Sequence, residues 1–189
     1  MMQSDLFNLE SLRPKPGDLE RSDAAGSYKP TLEAARKRLI SSADAGGAVC
    51  PCCGQFAKTY KRKLNSTMVA SLIWLAHEQL ATGDKWVDVQ RKAPRRVLAS
   101  RQIGTVGHWG LCRNAVATAA ALHVQAAKCS GLWQITERGL EFVRGEIRVP
   151  RHVYLYANVV KGWGGESTDV REALGDHFDY AELMAGVFQ

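Results

Sequence analysis

From Asn65 the chain reads NSTMVASLIWLAHEQLATGDK. Met68, Leu72 and Leu75, with Val69, Ile73, Ala76 and Leu80, recur at three- and four-residue spacing and fill a broad apolar face, which predicts a helix. Asn65 or Ser66 is placed to cap it, and ATGDK ends it. Upstream, PTLEAARKRLISSA (30–43) predicts a shorter helix, with Leu32, Ala35 and Leu39 at helical spacing and Pro30 marking its start. DAGGAV breaks that pattern. Downstream, WVDV reads as a short strand and APRRVLAS as a short helix with Pro94 near its first turn. RQIG reads as a turn, and TVGHWGLCRN as a third short helix weakened by Gly107 and Gly110.

Helix and strand compete over the alanine-rich residues 114–122. LHVQAA and LWQIT then predict two strands joined by the turn KCSG. TERGLEFVRG returns to helix with Leu140 and Val143 facing inward. HVYLYANVVKGW predicts two strands around Ala157 and Asn158. STDVREALG predicts a helix capped by Ser167 or Thr168, with Glu172 at the capping-box position, and DYAELMAGVF a final short helix. The first 28 residues, with RPKPGD and SDAAGS, have turn-rich linker character, though Phe7 and Leu9 could anchor on a partner.

Three helices, a hairpin and a closing helix, in that order, outline a winged helix-turn-helix, in which the third helix enters the DNA major groove and the hairpin touches the backbone. The strand, threonine cap and glycine-containing helix start of GLWQITERGLEFV are its most distinctive part. The expected class is α+β: a winged helix-turn-helix-like core, a zinc knuckle and a small C-terminal β-hairpin and helix appendage. The expected divisions are a tail (1–29), an N-terminal helix with cysteine knuckle and basic segment (30–63), the winged-helix-like region (64–147) and the appendage (148–189).

Charge sharpens this outline. The 189-residue chain carries a net +6, unevenly spread. Residues 58–113 hold eleven basic and three acidic side chains, while residues 1–57 are balanced and 114–189 carry a slight acidic excess. A basic middle between neutral and acidic ends predicts a localised anion-binding surface rather than a uniformly basic protein. At 46% hydrophobic and 23% charged residues, the composition is that of a globular chain. No apolar run approaches the roughly 18–20 residues of a membrane helix, and MMQSDLFNLE does not begin like a secretory signal. The expected location is cytoplasmic, with no membrane partner.

The basic residues fall in two clusters. KTYKRK supplies Lys58, Lys61, Arg62 and Lys63 around Tyr60. QRKAPRRVLASR supplies Arg91, Lys92, Arg95, Arg96 and Arg101. Lysine and arginine neutralise phosphates, and the second cluster falls where helix-turn-helix proteins clamp the backbone. Tyr60 could stack on a base but is more often a packing residue. His108 is a candidate base or phosphate contact, and Trp109 a core residue.

The cysteines offer different chemistry. Five of them, an odd number in a chain expected to lack a secretory signal, argue against a disulfide framework. Cys50 and Cys53 form a C-x-x-C frame followed by Gly54, a turn that lets two thiolates meet one zinc ion. A structural zinc takes four ligands, and no second C-x-x-C follows. The remaining candidates are Cys112, Cys129, His108 and His123, with Cys52 able to replace one of the first pair. A redox role fits less well, because reactive C-x-x-C pairs normally start a helix in a βαβ unit. Catalytic motifs are missing: KGWGGES lacks the lysine and hydroxyl of a phosphate loop, and there is no G-x-S-x-G or H-E-x-x-H. The expectation is a non-enzyme.

CPCCGQFAKTYKRKLNSTM, WGL, GLWQITERGLEFVRGEIRVPRHVYLY and REALGDHFDYAELM resemble a group of small proteins carried by bacteriophages and prophages, over roughly residues 30–186. The resemblance implies a phage origin and a bacterial host cytoplasm, and carries no activity with it. Two functions follow as expectations. The first is a non-catalytic DNA-binding or other nucleic-acid-binding protein with a regulatory role in transcription, in which Lys61, Arg62, Lys63, Arg95 and Arg96 hold phosphates and zinc at Cys50 and Cys53 braces the basic segment. The second is a phage-encoded inhibitor or adaptor of a host protein or ribonucleoprotein, such as a defence complex, making contact through its acidic C-terminal segment or its tail.

Overall fold

Asn65 begins the central element. Its side-chain oxygen accepts the Met68 N–H at 3.0 Å, and helix α2 runs over Ser66–Thr82. Gly83 closes it at φ 70°, its N–H bonded to the Gln79 carbonyl, a left-handed cap that glycine adopts without steric cost. Every residue from Met68 to Ala76 is buried. A helix that is apolar all round must be covered on all sides, and the other elements supply that cover.

The computed structural model describes residues 30–116 and 131–188. The tail (1–29), LHVQAA, the first three residues of KCSG and most of the alanine-rich segment lie outside the described residues. Those described form a mixed α+β fold of helices and small antiparallel sheets.

One three-stranded sheet has β4 (Val87–Asp88) and β5 (Cys112–Asn114) on either side of β6 (Leu132–Ile135). Between β4 and β5 lie the short helices α3 (Val89–Lys92), α4 (Arg95–Ser100) and α5 (Ile103–Val106), then a 3₁₀ turn over Gly107–Trp109. The third helix therefore starts earlier than its sequence suggests. Gly110, at φ 72°, stops it, and CRN pairs with β6 instead of continuing it. Trp109 is buried and donates its indole N–H to the Pro150 carbonyl at 2.7 Å.

After β6, Thr136 caps α6 (Glu137–Arg144), its hydroxyl oxygen accepting the Gly139 N–H at 3.0 Å and its O–H donating to the Gly110 carbonyl at 2.7 Å. Gly139 is required here: a Cβ would stand 2.0 Å from the Leu111 carbonyl oxygen and 2.7 Å from Ile135.

The second three-stranded sheet joins segments far apart in the sequence. Its order is β3 (Tyr60–Lys63), β7 (Val149–Tyr156), β8 (Val159–Thr168). The basic segment is thus an edge strand against the C-terminal hairpin. β7 and β8 turn at Ala157 and Asn158, both with positive φ (48° and 63°), as a two-residue type I′ hairpin loop demands. Val153 and Leu155 point into the core while Tyr154 and Tyr156 alternate to the other face.

Helices α7 (Val170–Leu174) and α8 (Tyr180–Met184) pack back on α2 through Leu174 and Leu183. The cap of α7 is Asp169, which accepts the Glu172 N–H at 2.9 Å, not Ser167 or Thr168. The reason is that β8 continues through Thr168, which is buried. The Glu172 carboxylate is engaged elsewhere: Arg148 donates to Glu172 Oε2 and to Asp169 Oδ2, each at 2.7 Å.

Candidate nucleic-acid interface

Residues 60–63 read Tyr-Lys-Arg-Lys and all four are exposed. β3 can hold them so because it is the outer strand of its sheet, hydrogen-bonded on one side only, with β7 carrying the apolar contacts. Lys61 stands opposite Tyr154, Arg62 opposite Val153 and Lys63 opposite His152. Directly opposed residues project to the same face, so Lys61 and Lys63 share a face with Tyr154 and His152. Lys58, just before the strand, lies 5.3 Å from the centre of the Tyr60 ring.

His152 records the local field. Burial first, then Lys61, Arg151 and Lys63, push its imidazole below the ordinary histidine value. Its Nδ1 is buried without a hydrogen-bond partner among the described residues.

The second basic cluster divides by role. Lys92 is tied into the protein, 3.0 Å from Glu78 and 3.5 Å from Asp84. Both carboxylates raise its pKa, Glu78 most strongly. Arg96 lies over the Phe178 ring at 4.4 Å. Arg91 and Arg95 are exposed on α3 and α4, and Arg101 is exposed at the end of α4 in a left-handed conformation (φ 52°). The two clusters do not merge. A cleft bearing Lys63 and Arg151 also bears Glu172, Asp176 and His177, and His177 lines the next cleft, where Arg96 lies with Asp179 and Glu182. The acidic C-terminal segment thus lies between the basic groups.

The cysteine turn is well formed. β1 (Ala48–Val49) and β2 (Phe56–Ala57) pair on either side of it. Cys50 donates its N–H to the Gln55 carbonyl and accepts the Gly54 N–H on its own carbonyl, each at 2.8 Å. Gly54 sits at φ 71°. Backbone N–H groups of Cys53 and then Cys52, aimed at the Cys50 sulfur, hold its thiol below the ordinary value, whereas partial loss of hydration and then the neighbouring Cys50 raise that of Cys52. These donors favour the thiolate form of Cys50. Among the described residues no group of three or more histidines, cysteines or acidic residues gathers where a metal could be held. Cys112 belongs to the core: its S–H points at the Ile103 carbonyl at 3.4 Å, and burial pushes its pKa up to about 12. His108 is half-buried beside Asn158, with its pKa lowered by burial, and its carbonyl accepts the Trp163 indole N–H at 3.1 Å. Cys129 and His123 lie outside the described residues.

Sequence reasoning missed Tyr154, Lys161 and Gly162, which join Lys58 and Lys61 around one cleft of about 520 Å³. The available signal was the alternation in HVYLY, whose aromatic positions fall opposite the buried valine and leucine. No helix among the described residues is long and apolar enough to cross a membrane. Comparisons with protein-family models, curated proteins and solved structures find no match.

Proposed function

We propose that this protein is a non-catalytic nucleic-acid-binding protein, of phage origin and acting on DNA in the host cytoplasm. The observation that carries this is β3, an edge strand whose Lys61, Arg62 and Lys63 are all exposed beside a tyrosine-bearing strand. Exposed cations on one rigid strand meet phosphates at fixed spacing and release counterions as they do so. Arg91, Arg95 and Arg101 form a second phosphate-contacting group and Arg96 borders it. Lys92 adds little, because Glu78 and Asp84 already neutralise it.

The order α2, β4, α3 to α5, β5, β6, with β6 central in its sheet, supports a winged-helix-like core. In that reading the helices between β4 and β5 face the duplex. The backbone donors at Cys50 support zinc held by Cys50 and Cys53. Zinc there would pin the turn that leads into β3 and add positive charge near it.

Titration of a labelled single strand and a labelled duplex, with two multiple variants, tests this assignment. Changing Lys61, Arg62 and Lys63 to alanine, or Arg91 and Arg95 to alanine, should weaken binding across unrelated sequences. Each lost contact should reduce the salt slope by roughly 0.9 on a duplex or roughly 0.7 on a single strand. Unchanged affinity and slope in both variants would refute it.

One observation favours a protein partner instead: Val159 and Trp163 are large apolar side chains left exposed on β8. An inhibitor or adaptor of a host complex would use such a patch. Retention on a host complex after nuclease treatment, lost on changing Trp163 to alanine, would favour that function.

A further inference from the structure

We propose that the outer face of the β3–β7–β8 sheet is a platform for single-stranded nucleic acid, with Tyr154 stacking on a base and Lys58, Lys61 and Lys161 holding the adjoining phosphates. This rests on the nucleic-acid function proposed above and specifies its substrate.

The register builds the platform. Lys61, Tyr154 and Gly162 form one rung across the three strands, and Lys63, His152 and Gly164 the next. Both β8 positions are glycine, so no side chain rises on that side of Tyr154. At Gly164 an added Cβ would come within 3.0 Å of the tyrosine ring and 3.3 Å of its hydroxyl. The ring therefore reaches sideways over β8 instead of standing off the sheet. At Gly162 an added Cβ would meet nothing within 4 Å, so that rung is open to solvent. A register shift between Tyr154 and Leu155 places Lys161 beside the open rung, and Lys58, Lys61 and Lys161 surround the cleft. Its one carboxylate, Asp44, is held by the Thr59 hydroxyl.

These features favour a single strand over a duplex. A tyrosine can stack only on a base that has left its own stack. A sheet face with an aromatic residue and flanking cations is a sequence-tolerant way to hold such a strand. A duplex is read by elements that protrude into a groove, whereas this face is the side of a sheet, with glycine at both β8 positions beside its aromatic ring. The cleft is also in the size range of small-ligand sites, enough for part of one nucleotide.

The test uses the full chain and two fluorescent probes, a twelve-residue oligothymidine and a duplex of equal length, at low salt. The unchanged protein should bind the oligothymidine. Tyr154→Ala should weaken that binding by roughly tenfold or more while leaving duplex affinity nearly unchanged, and Tyr154→Phe should retain it. Gly162→Glu introduces a negative charge where space is open, so the chain still folds, and it should lose oligothymidine binding more than tenfold. If duplex binds but oligothymidine does not, or if oligothymidine binding is indifferent to both Tyr154→Ala and Gly162→Glu, the platform is refuted and the nucleic-acid function stands. If neither probe binds, both fail. Should Tyr154→Ala fail to fold, Gly162→Glu decides alone.

Discussion

Lys61 and Tyr154 stand directly opposite each other across the β3–β7 ladder. A cation from before the central helix and an aromatic ring from the C-terminal hairpin thereby come to share one face. Lys61 stands out in its own stretch as one of several cations, but Tyr154 has no conspicuous role in its own. The pairing of β3 with β7 makes them neighbours, and the glycines of β8 leave the face beside them open. The remaining predictions concern how the scaffold holds this face and the cysteine turn in place.

Gly139 should tolerate no side chain. Glycine to alanine in a helix ordinarily gains up to about 1 kcal/mol. Here the new methyl would lie 2.0 Å from the Leu111 carbonyl oxygen, and α6 would have to move off β5 and β6. Gly139→Ala should lose about 3 kcal/mol, the upper end of ordinary overpacking costs. Urea unfolding midpoints of the two proteins measure it; an unchanged midpoint would show that α6 does not pack here as described.

Ala157 should behave in the opposite way. It holds a left-handed conformation, φ 48°, at the first position of the β7–β8 loop. That conformation costs a residue with a Cβ about 1–2 kcal/mol, partly offset on change to glycine by the greater freedom of the unfolded chain. Ala157→Gly should therefore gain about 0.5–1 kcal/mol in the same unfolding experiment. Destabilisation would mean that the loop has another geometry.

Acid should weaken the hold of the C-terminal segment through Arg148. The Arg148 guanidinium, bonded to Glu172, holds that carboxyl below its ordinary value. A carboxylate with a lowered folded-state pKa adds stability above its unfolded-state pKa, and the unfolded chain binds more protons as the pH falls. This contribution is complete above the usual glutamate range, roughly 4.3, and is lost as the pH drops through the lower folded value. The unfolding midpoints of the unchanged protein and Arg148→Ala should differ at neutral pH and converge in acid. A gap that stays constant with pH would rule out this source.

Thiol labelling should separate the cysteines by position. Cys52 and Cys53 are exposed and Cys112 is buried, with its pKa near 12. In the native protein an alkylating reagent should modify the turn rapidly and Cys112 only on unfolding. Zinc ions should protect Cys50 and Cys53 from the reagent if these two bind the metal. Equal labelling rates for Cys112 and Cys52 would contradict the packing; failure of zinc to protect would contradict the ligand assignment.

What was legible in the sequence was local. Asn65, the apolar run of α2, the Thr136 cap and the hairpin around Ala157 and Asn158 follow from side chains acting within a few residues. Pairings between distant segments left little trace. Residues 60–63 show no apolar alternation, because an outer strand can be exposed along its whole length, so they read as a charged segment. CRN was hidden because Gly110 ends its helix at a position where the surrounding residues still favour one. Thr168 looked like a cap, but the strand before it runs further than its glycines suggest. The cation candidates were visible by type, whereas their engagement was not: Lys92 depends on Glu78 and Asp84, and Arg96 on Phe178, contacts only the folded chain creates.

The most direct measurement is the affinity of the intact protein for nucleic acid, single-stranded and duplex, across a salt series beginning near about 50 mM. Binding through the exposed cations of β3 and its neighbours should be tight at low salt and fall linearly in logarithmic coordinates, with a slope of several phosphate contacts. An absence of binding at low salt, or an affinity indifferent to salt, would contradict a phosphate-binding surface.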